Sequence, residues 1–241
     1  MSNFQANCVV VPLERTRFER NAASRYETAR AHVIFATLRD ALVVSVGATL
    51  YFVAAFFGAA VAPANRLGPC LVVFVAAQHA FHATGALFFH LGAVGDPTAG
   101  IVLSGVYNFV VFLVSGVVVK VQDMAPFWRG VAVVLPGYSA MGLLSLFAFK
   151  DRAFDCDDRA YPEECYDGDA VLAIFGFQTF EDRVALSLAT LLLNYAAARL
   201  FLFALLRRAA NRGKRRVAPL DGPRAPEAEA VALLKPPDGP S

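Results

Sequence analysis

Apolar residues run through this chain in long blocks, broken by short polar punctuation and closed at both ends by basic segments. Four blocks reach the length of about 20 residues at which a helix crosses the roughly 30 Å hydrocarbon core, where lipid cannot satisfy an open backbone. Residues 41–64 carry no charged side chain, residues 67–95 carry only histidines, residues 97–119 are uncharged, and residues 184–206 contain a single charge, Arg199. Each predicts a transmembrane helix. A fifth block, Gly130 to Phe149, is also long enough, but Pro136-Gly137 near its centre removes a backbone donor and favours a break. The pattern there predicts a re-entrant helical hairpin over residues 124–149, with Pro126 and Trp128 placed where aromatic rings prefer the headgroup level.

The flanks set the orientation. Arg15, Arg17, Arg20, Arg25, Arg30 and Arg39 precede the first block, and Arg207, Arg208, Arg212, Lys214, Arg215 and Arg216 follow the last with no acid between them. The positive-inside rule puts both ends in the cytosol, which requires an even number of crossings and so agrees with four spans plus a segment that returns to its own side. Residues 150–183 then form an exoplasmic loop, with ten acids against four bases. Cys156 and Cys165 lie within it, and an oxidising compartment favours a disulfide between them, worth roughly 2–3 kcal/mol on a loop-entropy account. Residues 1–40 read as a cytoplasmic amphipathic segment that lies on the surface before turning into the first span. Residues 209–241 read as a basic stretch followed by a Pro-, Ala- and Glu-rich tail that cannot bury enough apolar surface to fold.

Composition narrows the classes. With 57% hydrophobic and 17% charged residues, the chain is too apolar for a water-soluble fold, since soluble domains carry about 25% charged residues. A net charge of +2, with its bases gathered at the two ends, gives no stripe for nucleic acid. The amino terminus lacks a basic region followed by an apolar one, so insertion is left to the internal spans.

The order of features resembles the membrane domain of G-subfamily ABC transporters, the white and pleiotropic-drug-resistance types, and is similar to its last four helices. In that family the segment before the third helix carries an acid, an aromatic, an Arg-Glu pair and a Gly-x-Tyr, and the helix opens on an Asp; Glu14, Phe18, Arg20, Tyr26 and Asp40 occupy those places. Ser115, Gly116, Val117 and Val118 match the end of the family's fifth helix, Pro126 and Trp128 its Pro-x-Trp motif, and Cys165, Gly168, Leu172 and Gly176 its outer loop. Arg199 matches an Arg of the last helix. The chain departs from the pattern at Asn21 and Arg25, where Glu and Gly are expected, and at Phe147-Ala148-Phe149, where Asn-Glu-Phe is expected.

The resemblance implies an all-α membrane protein, a partial membrane domain of the type V exporter kind that pairs with a second half-transporter as a homo- or heterodimer. Glu14, Phe18, Arg20, Tyr26 and Asp40 would form the coupling surface for an ATPase. No Gly-x-x-x-x-Gly-Lys-Ser/Thr loop occurs in the sequence, so ATP and Mg²⁺ would be handled by a nucleotide-binding domain outside it, and the chain carries no catalytic residue of its own. The family's first two membrane helices have no counterpart here, which points to a piece of a longer product or a partner-dependent subunit. Gly105, Phe109 and Phe112 share one helix face by their i, i+4, i+7 spacing. On the family's plan that face lines a substrate cavity, with Asn108 beside it as a polar contact and Val117-Val118 as a hydrophobic plug. A lipid, sterol or other hydrophobic small molecule is the implied cargo, and the plasma membrane or an endomembrane the implied location.

Other readings of the same residues carry less. His79, His82 and His90 in one span invite a haem or metal site, but the only other histidine, His32, lies outside the apolar core. Hydrogen-bonded neutral histidines facing other helices fit better. A four-span scaffold with a disulfide-bearing outer loop is the alternative function. Its nearest analogues, the tetraspanins, place adjacent cysteines in that loop, and this chain has none adjacent. Arg199 is expected to snorkel or to pair with an acid of the cytoplasmic segment, and Asp40 to pair locally beside Arg39.

Overall fold

The computed structural model describes residues 14, 15, 17, 18, 20–22, 28–59, 64–92, 97–152 and 167–217, and the described residues are nearly all helical. Among the described residues, the helices that carry the architecture are α1 (Ala29–Ala59), α2 (Leu67–Gly92), α3 (Pro97–Leu113), α4 (Pro126–Val134), α5 (Pro136–Phe149), α6 (Gly168–Phe175) and α7 (Val184–Val217). Short 3₁₀ turns at Ala64–Arg66, Val121–Asp123 and Gln178–Arg183 join them. Three helical stretches, 29–55, 67–92 and 178–211, are long and apolar enough to cross a membrane, and α4 with α5 makes a fourth if the bent pair counts as one span.

α1 runs unbroken across residue 40, where a turn out of a surface segment is expected. Thr28 caps its start, the Oγ1 accepting from the Ala31 N–H at 3.2 Å, and neither Pro nor Gly interrupts the helix before Gly47. Asp40 is carried inside, with Arg39 half-buried beside it, because each finds a partner there.

α2 is the central element, packed against α1, α3, α5 and α7. Its small residues make this possible. Ala77, Ala80, Ala83 and Ala86 are all buried, and small side chains let helix backbones approach closely where no hydrophobic effect drives association in lipid. The Thr84 Oγ1 and Tyr107 hydroxyls, 2.5 Å apart, tie α2 to α3. The main core joins Val73, Ala77 and Ala80 of α2 to Ala140, Leu143 and Leu146 of α5, and adds Leu172, Phe177, Phe180 and Leu191 from the segment that follows. The Phe180 ring occupies the space that a side chain at Gly142 would need.

α3 ends at Leu113 instead of continuing to residue 119. The hydropathy of the stretch does not change there; the backbone does. Ser115 turns its hydroxyl onto the Phe112 carbonyl at 2.7 Å, and Gly116 takes φ +89°, a left-handed conformation that a side chain disfavours. At 17 residues α3 is about 25 Å long, somewhat short of a full crossing. The expected break at Pro136 is present as a bend of 73° between α4 and α5.

The segment after α5 is a small cap. Asp167 accepts from the Ala170 N–H at 2.6 Å to start α6, and Gly176, at φ +75°, ends it while the Phe177 N–H returns to the Leu172 carbonyl at 2.8 Å. Lys150 meets Glu181 at 3.1 Å and Asp169 at 3.8 Å, and these carboxylates, the Glu181 hydrogen bond first, raise its ammonium pKa above the usual value. Arg66 donates to the Lys150 carbonyl at 2.5 Å and pins the α1–α2 turn to the same cap. Cys156 and Cys165 lie outside the described residues, as does the tail beyond residue 217.

Candidate functional site

A charged side chain inside an apolar bundle is costly unless paired, and such residues are functional candidates by default. Among the described residues, one chain of charged side chains runs into the bundle. Asp40 on α1, 4% exposed, is its centre. Its Oδ2 accepts from Arg199 Nη2 of α7 at 2.6 Å and lies 3.3 Å from His82 Nε2 of α2. Its Oδ1 accepts from Arg39 Nε at 3.1 Å and Nη2 at 2.6 Å. Arg39 in turn pairs with Glu14 through Nη1. Two carboxylates, Glu14 and Asp40, thus face two guanidiniums, Arg39 and Arg199, and their formal charges cancel.

The seam extends along α1, α2 and α7. The Arg199 guanidinium sits 5.3 Å from the Tyr195 ring centroid, Tyr195 meets His79 edge-on at 5.8 Å, and His79 Nε2 shares a hydrogen bond with Ser45 Oγ at 2.9 Å. His79 Nδ1, His82 Nδ1 and Arg199 Nε are buried with no hydrogen-bond partner. Polar contacts therefore join α1, α2 and α7.

The residues expected to form a coupling surface are found in three situations. Glu14 reaches the seam through Arg39, and Phe18, fully buried, packs with Ala22, Ala29, Leu202 and Leu206 while its ring lies 4.7 Å from His32. Arg15 beside them donates to the His90 carbonyl at 3.1 Å. The helical residues around Glu14 and Phe18 are thereby held on the ends of α1, α2 and α7. Arg20 is exposed, and Tyr26 lies outside the described residues. Asp40, expected to pair beside Arg39 at a membrane boundary, does bind Arg39 but is buried within α1 and also holds Arg199.

The expected cavity face lies on the outer side of α3. Phe109 and Phe112 are 61% and 56% exposed on the single chain, and Gly105 and Asn108 are half-buried. Asn108 donates to the Ser104 carbonyl of its own helix at 2.7 Å. Val117 and Val118 are exposed just past Gly116, beyond the end of α3. These residues form a separate surface from the seam, on a helix that has no seam member.

His79 and His82 bind Ser45 and Asp40, and among the described residues no group of three or more His, Cys, Asp or Glu could hold a metal ion. The sequence led to the expectation of histidines bonded to other helices, but not to Ser45, Tyr195 or the pairing of His82 with Asp40. The signal that could have found His82 is its polar character on the alanine-rich face of α2, since a histidine among Ala77, Ala80, Ala83 and Ala86 requires a partner from a neighbouring helix.

A family model described as ABC-2 type transporter matches residues 1–147. No curated protein matches the chain.

Proposed function

Because the chain belongs to the ABC-2 type transporter family, a membrane component normally associated with an ATP-binding partner, we propose that it is a G-subfamily half-domain of an ATP-driven exporter. Its cargo is a lipid, sterol or other hydrophobic small molecule. ATP and Mg²⁺ are handled by a nucleotide-binding domain, and two membrane halves pair across α3. The family match over residues 1–147 is the observation that carries this reading.

Two features of the bundle support the finer parts. Among the described residues Phe109 and Phe112 stay exposed and give α3 an aromatic face turned away from the bundle, suited to line a cavity between two halves. The seam supports the coupling role. An ATPase bearing on the segment around Glu14 would move Arg39 and Asp40, and through them α7 by Arg199 and α2 by His82. In this arrangement both basic ends face the cytosol, residues 150–183 face outward, and Val117-Val118 close the cavity toward the outer side.

Cross-linking tests the cavity and the pairing together. In a cysteine-free background, Phe112→Cys is expected to give a copper-phenanthroline dimer in native membranes, while Leu193→Cys on the exposed side of α7 stays monomeric. In vesicles holding the chain with an ABC ATPase subunit, Phe112→Ala is expected to slow ATP-dependent movement of a fluorescent phospholipid. A dimer through Leu193→Cys with none through Phe112→Cys would remove α3 from the pairing axis.

A further inference from the structure

The bend between α4 and α5 is lightly supported. Of the nine residues of α4, only Ala132 is buried, and Phe127, Trp128, Val133 and Val134 are all exposed. α4 rests on α5 and on the turn Val121–Asp123. Between the two helices a single residue, Leu135, is extended at φ −76° and ψ 148°. Pro136, which opens α5, has no N–H, so the carbonyls in the last turn of α4 lose the ladder that a continuous helix would supply.

Val134 is the residue where this matters. Its carbonyl accepts a hydrogen bond from Asn194 Nδ2 of α7 at 2.9 Å, across 60 residues of sequence. The same Nδ2 donates to the Thr190 carbonyl in its own helix at 2.8 Å. A side-chain amide has two hydrogens, so both acceptors are served at once. Opening the contact would affect the two sides unequally. Asn194 keeps Thr190, whereas the Val134 carbonyl is left in an apolar setting and must find water.

We propose that Asn194 is a positioning residue that latches the α4–α5 bend to α7, and that α4 swings about Leu135 toward the water phase when this contact opens. The inference depends on neither the cargo nor the ATPase, so it can fail while the transporter reading stands.

Trp128 is the only tryptophan in the chain and sits on α4, which makes it an intrinsic reporter of this motion. The full chain in phospholipid vesicles is expected to show at least a two-fold rise in acrylamide quenching of Trp128 on Asn194→Leu. Asn194→Gln, which keeps the amide, should fall nearer the wild type, and Leu193→Ala on the exposed face beside it should change nothing. Unaltered quenching in Asn194→Leu would overturn the latch. A second measurement needs no variant: hydrogen exchange in the wild-type chain should be about ten-fold faster in α4 than in α5, and equal rates would overturn the hinge.

Discussion

Asp40→Leu is expected to lower the unfolding free energy by about 3–5 kcal/mol, the cost of stranding a buried charge by removing its partner. The stranded group is Arg199, 8% exposed, whose ion pair is with Asp40. Arg199→Met should cost less, about 1.5–3 kcal/mol, because Asp40 keeps Arg39 and lies beside His82. The double variant Asp40→Leu/Arg199→Met should be more stable than Asp40→Leu alone, since no buried guanidinium is then unpaired and Arg39 still holds Glu14. Denaturant titration of the helical circular-dichroism signal in detergent micelles reads all three. If Arg199→Met proved as damaging as Asp40→Leu, or the double variant were the worst of the set, Asp40 would not be the hub.

Gly168→Ala should be the next largest, destabilising by about 1–3 kcal/mol through overpacking. The added methyl would fall on the Phe149 carbonyl, which is backbone and cannot turn aside, while the Gly168 N–H is held on the Arg152 carbonyl at 2.7 Å. Gly47→Ala is the matched control, because nothing lies within 4 Å of the position its methyl would take. Equal stabilities for the two variants, in the same titration, would mean that the cap does not close on α5 as described.

Much of the helix layout was legible in the sequence for a simple reason: an apolar stretch of membrane length has few other places to go. The break at Pro136 was equally open to reading, because a missing N–H acts locally. Two boundaries were not. α1 reaches back to Ala29 because Arg39 pairs with Glu14 and Asp40, and Asp40 with Arg199 of α7, whereas charge alone suggested a surface position. α3 stops at Leu113 because of the turn at Ser115-Gly116, which the absence of charge up to residue 119 conceals.

Several positions singled out by family resemblance acquire a physical reason. Gly168 has no room for a side chain, Leu172 is buried under the cap, Gly176 ends α6 in a left-handed turn, and Gly116 does the same after α3. The polar seam was only half legible. A charge in an apolar helix announces that Arg199 needs an acid, but nothing in periodicity selects Asp40, 159 residues away. Asn194 was not singled out from the sequence, because an amide in an apolar helix does not indicate that its acceptor is a carbonyl at a bend.

In the proposed half-domain the basic ends share one side of the membrane and the α5–α7 cap lies on the other. Cysteine accessibility in intact cells tests it directly. In a cysteine-free background, a membrane-impermeant maleimide is expected to label Gln178→Cys, exposed in the cap, without permeabilisation, and Arg208→Cys, exposed at the basic end of α7, only after it. Labelling of Arg208→Cys in intact cells, with Gln178→Cys protected, would invert the chain in the membrane and contradict the account.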